Sequence, residues 1–161
     1  MIILNSSPIL HLAAGLGGLD VLPSLYGRVV VPAEVVRELE SGAALDDVAV
    51  QVRRTAGIDI RSPSSGISPL LAGELDLGES AVIALAIELP GSTAVLDDLK
   101  ARRVARRSGI PMTGSIGVLL YAKRLGKLAS VAEAIKRIRA RGAWLSDAVV
   151  ERALELAGEQ P

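Results

Sequence analysis

Short apolar runs alternate along the chain with longer segments whose apolar residues recur at helical spacing. The runs predict strands at 2–4, 28–31, 58–61, 93–96 and 110–113. Helices are predicted from Pro8 onward and at 33–40, 46–56 (capped by Asp46), 76–89, 98–108, 115–126, 130–141 and 146–157, several of them opened by Ser, Asp or Pro. This alternation is typical of an α/β protein. We therefore predict a three-layer α/β/α sandwich with a mainly parallel central sheet, formed by a single domain over residues 1–161.

Three polar side chains stand where predicted strands end. Asn5 follows the strand at 2–4, and Asp97 and Asp98 follow the strand at 93–96. Ligands of open parallel sheets bind beyond the carboxyl ends of the strands. We therefore expect these three side chains at the functional edge of the sheet.

Two glutamates occupy unusual places on predicted helices. Glu38 lies at the border of the apolar face of helix 33–40, although a solvated surface glutamate is an alternative. Glu79 shares a face with the packed residues of helix 76–89, which is apolar on all sides. Stabilisation of the first helical turn by an acid is the alternative there. A carboxylate on a packed face would need a cation or hydrogen-bond donors.

The adjacent carboxylates Asp97 and Asp98 repel each other. One of them is explained as the cap of the following helix, but the second is not. A hard divalent cation would relieve the repulsion and would take oxygen ligands from several such groups. Because the chain has no cysteine and one histidine, oxygen is the realistic ligand type, and Mg²⁺ or Mn²⁺ is the indicated ion.

The net charge of zero conceals an asymmetry along the chain. Residues 1–98 carry a net charge of −8, residues 99–141 carry +11 and the remainder carries −3. The helix after Asp98 presents a stripe of arginines, which suits phosphate groups through bidentate pairing. A solvated helix face, or ion pairs with the acidic half, is the alternative. The stripe consists of Arg102, Arg103, Arg106 and Arg107.

Composition and hydropathy exclude some further classes. The three aromatic residues, one tryptophan and two tyrosines, make base reading by stacking improbable, so recognition of RNA should depend on phosphates and shape. The uncharged N-terminus lacks the basic start of an export signal. The most apolar later stretch is ten residues long, which suits a buried helix rather than a membrane span. We expect a cytoplasmic protein without a membrane span.

Several blocks of the chain, in order and nearly end to end, together resemble the PIN-domain ribonucleases, in particular the DUF3368 branch related to VapC-type toxins. The opening Asn5-Ser6-Ser7-Pro8 is similar to (D/N)-(T/S)-S-P. The later blocks are Pro32 to Leu39, similar to P-x-x-V-x-x-E-(L/V); Gly78 to Ala86, similar to G-E-x-x-A-I-A-L-A; Asp97 to Ala105, similar to D-D-x-x-A-R-x-x-A; Thr113 to Leu119, similar to T-G-T-x-G-(V/I)-L; and Gly142 to Ser146 at the close.

The resemblance implies an endoribonuclease in which acidic residues hold one or two Mg²⁺ or Mn²⁺ ions and a metal-activated water cleaves RNA phosphodiesters. It also implies the toxin of a type II toxin–antitoxin pair, with a cognate antitoxin protein and a homodimer. The implied catalytic and metal-binding residues are Glu38, Glu79 and Asp98, with Asp97 competing for the last place. Polar residues at the border of the site are Ser6, Thr113 and Ser115, and the arginines assigned to RNA phosphates are Arg102, Arg103 and Arg106.

The first acidic position of the family pattern is Asn5 in this chain. An amide oxygen coordinates a metal but brings no charge, so metal affinity and water activation should both weaken. Two hypotheses follow from this difference. The first is a metal-dependent ribonuclease, and the second is a non-catalytic PIN-fold module that binds nucleic acid or protein through a degenerate metal site.

Two further residues have structural interpretations. His11, in the apolar first helix, is expected to be a packed or capping histidine rather than a catalytic base. Trp144 is expected to anchor the C-terminal helix or an interface rather than to stack on bases.

Overall fold

The computed structural model describes residues 1–42 and 46–159. Five strands are formed, namely β1 (Ile2–Leu4), β2 (Val29–Pro32), β3 (Ile58–Arg61), β4 (Thr93–Val95) and β5 (Met112–Thr113). The helices are α1 (Ser6–Leu16), α2 (Val21–Tyr26), α3 (Ala33–Ser41), α4 (Asp46–Arg54), α5 (Pro69–Glu74), α6 (Leu77–Glu88), α7 (Leu99–Arg107), α8 (Ser115–Arg124), α9 (Val131–Ala140) and α10 (Asp147–Ala157).

All five strands run parallel in the order β3-β2-β1-β4-β5. This arrangement confirms the predicted α/β/α sandwich. The chain builds the sheet outward from β1 to one side and then returns to add β4 and β5 on the other. The direction of winding therefore changes between β1 and β4, and the carboxyl ends of these two strands flank the position where parallel sheets bind ligands.

Helix α6 is the central helix of the core and packs against β1, β2, β4 and α3. Nine consecutive residues, Gly78 to Ala86, are buried, because a helix that is apolar all round must be covered on every side. Glu79 is buried with them. On another part of the molecule α1 packs against α8 and α9.

The strands and longer helices agree with the predicted elements to within a few residues. Two short helices, α2 and α5, were not predicted, because six residues are too few to show a helical period. The predicted capping role of the Asp46 side chain lies outside the described residues. Among the described residues no helix has the length and apolar character needed to cross a membrane.

Candidate metal centre and its surroundings

Asn5 lies directly after β1 at the change in winding. Its backbone N–H donates to the Val95 carbonyl at 3.3 Å, which ties it to the end of β4. The residue is 6% exposed, and its side chain does not cap α1 although it stands at the N-cap position. The buried Oδ1 atom has no hydrogen-bond partner among the described residues. A buried amide oxygen without a hydrogen-bond donor has lost its bound water and gained no partner in exchange. A bound cation would be such a partner.

Glu38 extends from the buried side of α3 toward the start of α6. Its Oε1 accepts a hydrogen bond from the Gly78 backbone N–H at 2.8 Å. Burial and the nearby Asp76 charge raise the pKa of this carboxyl above its ordinary value, although the Gly78 hydrogen bond and the Ser6 side chain act to lower it. The predicted position at the border of the core is therefore confirmed for Glu38, and Ser6 lies beside it.

The contact between the Glu38 carboxylate and the start of α6 requires glycine at position 78. A Cβ atom on Gly78 would lie 2.5 Å from Glu38 Oε2 and 2.6 Å from Oε1. Carbon and oxygen cannot approach so closely, so any side chain here would displace the Glu38 carboxylate. The absence of a side chain lets Glu38 lie against the first turn of α6 and accept its backbone N–H.

Asp76 caps the start of α6 beside Glu79. It is the N-cap residue, and its side chain accepts the Glu79 backbone N–H at 2.7 Å, while the Asp76 backbone acts to lower the pKa of the Glu79 carboxyl. Burial, followed by repulsion from Asp76, Asp98 and Glu38, nevertheless raises the pKa of Glu79 to about 7. The cap explains why acidic residues stand at the start of α6. It does not relieve the repulsion between Glu79 and the neighbouring carboxylates, and a cation bound there would be stabilising.

Asp98 caps α7 at the end of β4. Its Oδ1 accepts the Lys100 and Ala101 backbone N–H groups at 2.7 Å and 3.0 Å. Its Oδ2 has no hydrogen bond among the described residues. The side chain is exposed and its charge acts on Glu79. We call the four acids coupled in this way the carboxylate cluster: Glu38, Asp76, Glu79 and Asp98.

Asp97 is committed to different partners. His11 Nδ1 lies 2.9 Å from Asp97 Oδ2, and Ser115 donates to Asp97 twice, from its hydroxyl at 2.5 Å and from its backbone N–H at 2.8 Å. Burial alone would raise the pKa of Asp97, but these hydrogen bonds and the His11 ring lower it below its ordinary value. Three elements distant in sequence are thereby joined around one carboxylate.

The predicted arginines divide into two groups. Arg102 folds back and donates to the Leu96 carbonyl at 2.9 Å, so its guanidinium braces the β4–α7 turn. Arg103 and Arg106 are exposed and line a cavity of about 420 Å³ together with Lys100. Arg107, at its rim, pairs with Glu74 at 2.5 Å.

Two of the polar residues predicted to border the site have different surroundings. Ser115 donates hydrogen bonds to Asp97. Thr113 lies against Gly117, where a Cβ atom would collide with its hydroxyl, and lines a separate groove with Tyr26 and Tyr121. Its contacts are therefore with α8 and this groove rather than with the carboxylate cluster.

The donor set suits a hard cation, since it consists of carboxylates and a buried amide oxygen without a partner. In this geometry, however, residues 1–42 and 46–159 contain no group of three or more His, Asp or Glu side chains that could hold a metal ion. Glu38 and Asp98 are each held by backbone N–H groups. The ligand chemistry is present, and gathering these groups around one ion would require rotation of side chains.

Sequence reasoning did not identify three features of this site: the Asp76 cap, the need for glycine at position 78 and the partners of His11. Asp76 could have been recognised from the Asp-x-x-Glu spacing of a capping box. The His11 contact spans 86 residues and leaves no local signal in the sequence.

Comparison with known proteins places the chain in a family. No curated protein matches it. The family model DUF3368, a PIN domain, matches residues 1–159. This match covers nearly the whole chain and agrees with the parallel sheet and the acidic edge described above, so the protein belongs to the DUF3368 family of PIN domains.

Proposed function

We propose that the protein is a divalent-metal-dependent endoribonuclease that hydrolyses RNA phosphodiester bonds and acts as the toxin of a type II toxin–antitoxin pair. The observation that carries the proposal is the buried Asn5 Oδ1 atom, which has no hydrogen-bond partner among the described residues and stands at the same edge of the sheet as the carboxylate cluster. Burial and repulsion from three neighbouring carboxylates, which raise the pKa of Glu79 to about 7, support the same conclusion. Without a cation this arrangement costs stability. With a cation the same charges become ligands.

Membership of the family supports the reaction class. PIN domains are typically nucleases that act on RNA or DNA and generally use divalent metals. The donor atoms match that chemistry, since they are oxygens throughout. The resemblance to VapC-type toxins supports the more specific assignment to RNA and to a toxin.

In the proposed reaction four residues of the site would bind the metal ion, and Asp76 would position one of them. Asn5, Glu38, Glu79 and Asp98 would hold Mg²⁺ or Mn²⁺, which when bound supplies a water of lowered pKa as the nucleophile. Asp76 fixes the first turn of α6 by its cap. Asn5 contributes no charge, so fewer negative charges surround the ion than an aspartate at this position would give.

The exposed cations of α7 are suited to the RNA backbone. Lys100, Arg103 and Arg106 border one cavity on the helix that Asp98 caps, so phosphates bound there would lie on the same helix as a metal ligand. Arg102 is engaged with the Leu96 carbonyl and would act by bracing the turn.

Partner proteins are the remaining part of the proposal. Leu77 and Leu99 are the first residues of α6 and α7 and are 53% and 71% exposed, although neighbouring Glu79 and Asp98 belong to the carboxylate cluster. An apolar surface at the edge of the carboxylate cluster would suit a cognate antitoxin protein that covers the site. The resemblance to the PIN family supports both the antitoxin and a homodimer.

The decisive experiment measures cleavage of single-stranded RNA with Mn²⁺, with Mg²⁺ and with a chelator. We expect cleavage that requires the metal and that falls at least a hundredfold in the Asp98→Ser variant. Serine retains an N-cap oxygen but removes the charge, so its comparison with Asp98→Ala separates catalysis from helix capping. Glu155→Gln, on α10, serves as the control variant with unchanged cleavage.

The second candidate function is a non-catalytic PIN module that binds nucleic acid or protein. It is favoured by Asn5 and by the lack, among the described residues, of three closely grouped acidic or histidine side chains. The Asn5→Asp variant distinguishes the two candidates. Metal-dependent cleavage by the wild-type chain overturns the second, whereas cleavage that appears only in Asn5→Asp overturns the first.

A further inference from the structure

Trp144 is the only tryptophan of the chain, and it is 84% exposed. The expected role as a packed anchor of the C-terminal helix is therefore wrong, whereas the alternative expectation, an interface residue, stays a prediction. The residue stands in the segment between α9 and α10, beside a shallow cleft lined by Ala143 and Ser146. A large aromatic side chain exposed to water on a structured segment is an energetic cost that a bound partner would remove.

A second cavity begins at the same segment. It has a volume of about 360 Å³ and lies between α1, α4 and the residues that follow α9. Its walls are mainly aliphatic, and three polar side chains border it: His11, Gln51 and Arg141. Ala143 lines both this cavity and the cleft beside Trp144, so the two adjoin at this residue, and we treat them together as one surface.

His11 connects this surface to the candidate metal centre. Its ring lines the cavity, and its Nδ1 lies 2.9 Å from Asp97 Oδ2. Asp97 is bonded in sequence to Asp98 of the carboxylate cluster. One imidazole ring thus lies between the cavity and the turn that carries a proposed metal ligand.

We propose that this surface is a base-binding subsite for single-stranded RNA, with one nucleobase in the cavity and a neighbouring base stacked on Trp144. The inference rests on the proposed ribonuclease function and adds a contact that depends on bases. It revises the expectation that recognition depends on phosphates and shape alone.

The chemistry of the surface fits an unpaired nucleotide. A nucleobase has two flat apolar faces, which suit aliphatic walls and an indole ring, and a polar edge, which suits the Gln51 amide. Arg141 supplies a cation for the phosphate or the base edge. Asp147 also lines the cleft beside Trp144, but it is paired with Arg139 at 3.0 Å. Arg141 ends the segment 99–141, whose net charge is +11, and this positive charge favours a polyanion as the occupant.

The single tryptophan makes the test direct. The protein is titrated with a short single-stranded RNA in the presence of a chelator, and the tryptophan fluorescence is recorded at an excitation wavelength that tyrosine does not absorb. The measurement therefore needs neither metal binding nor RNA cleavage. We expect quenching of the emission and protection of Trp144 from acrylamide. An abasic strand of equal length, which keeps the phosphates, should quench much less.

Variants locate the bound base. In anisotropy titrations with labelled RNA, Trp144→Leu, Gln51→Ala and an Ala13→Leu change that narrows the cavity should each weaken binding about tenfold. Arg152→Ala, on the exposed face of α10, should leave binding unchanged. Circular dichroism and thermal unfolding confirm that each variant is folded.

Equal quenching by the RNA and the abasic strand would overturn the proposal, as would unchanged RNA affinity in folded Trp144→Leu and Ala13→Leu. Loss of nuclease activity is a separate result, because the titration contains a chelator. A chain that binds bases without cleaving RNA would contradict the proposed function and retain this subsite.

Discussion

Gly78→Ala is a small change that should move a proposed metal ligand without unfolding the protein. The added Cβ would lie 2.5 Å and 2.6 Å from the two Glu38 carboxylate oxygens, against an ordinary contact of 3.4 Å or more. The carboxylate must therefore retreat by about 1 Å, and a displacement of that size in a catalytic group lowers activity about a hundredfold.

Stability should change little in the same variant. Loss of the 2.8 Å hydrogen bond from Gly78 to Glu38 costs about 1 kcal/mol. Replacement of glycine by alanine within a helix contributes up to about 1 kcal/mol in the other direction. The free energy of unfolding should consequently stay within about 1 kcal/mol of the wild-type value.

Calorimetric titration with Mn²⁺ and the initial rate of RNA cleavage measure the effect. We expect weaker Mn²⁺ binding and slower cleavage in Gly78→Ala. Gly73→Ala is the matched control, because it is also helical and a Cβ there would meet nothing within 4 Å. Wild-type Mn²⁺ affinity together with wild-type cleavage in Gly78→Ala would refute the assignment of Glu38 to the site.

Three further predictions concern stability, each measured by urea unfolding of the metal-free protein. Because the folded-state pKa of Glu79 is raised from 4.5 to about 7, the free energy of unfolding of the wild-type protein should fall as pH rises through this interval. The Glu79→Gln variant should therefore be more stable than wild type by up to about 3 kcal/mol at about pH 8 and nearly equal to it at pH 4.5. An equal gain in stability at both pH values would contradict this prediction. Burial alone would raise the pKa of Glu159, but hydrogen bonds from Lys123 and from the start of α9 lower it to about 2, so Glu159→Gln should lose about 2 kcal/mol at neutral pH, progressively less as pH falls from 4.5 toward 2, while exposed Glu155→Gln should be neutral. His11→Ala should lose about 1–2 kcal/mol through the broken contact with Asp97, and unchanged stability would show that this contact contributes nothing.

Much of the architecture could be predicted from the sequence because it depends on local patterns. The apolar run at 2–4 and the β-branched run at 28–31 become central parallel strands, and the continuously apolar segment after Asp76 becomes the buried helix α6. Periodicity reports these elements because each buries a face whose spacing is fixed by backbone geometry. The short helix α5 gives no such signal in its six residues.

The candidate site could be predicted in position but not in detail. Placing Asn5 and Asp98 at strand ends was sufficient to bring them to the same edge of the sheet. The two adjacent acids Asp97 and Asp98 nevertheless have different environments, since the first is bound by His11 and Ser115 and the second is exposed. Side-chain direction after a strand depends on distant partners, which local sequence patterns do not encode.

Trp144 shows the same limit for a surface residue. Trp144 was expected to anchor the C-terminal helix or an interface rather than to stack on bases. The structure exposes it instead, next to a cavity assembled from α1, α4 and the end of α9. That cavity exists only once three distant segments have packed together.

The central claim is that Asn5, Glu38, Glu79 and Asp98 bind a catalytic divalent cation. The most direct measurement is the anomalous difference density of a crystal of the wild-type protein soaked in Mn²⁺. We predict a peak within coordination distance of Asn5 Oδ1 and of carboxylate oxygens of Glu38, Glu79 and Asp98, and no such peak in crystals of Asp98→Ser. A saturated crystal with no peak at these residues, or with its manganese bound at Asp97 instead, would contradict the claim.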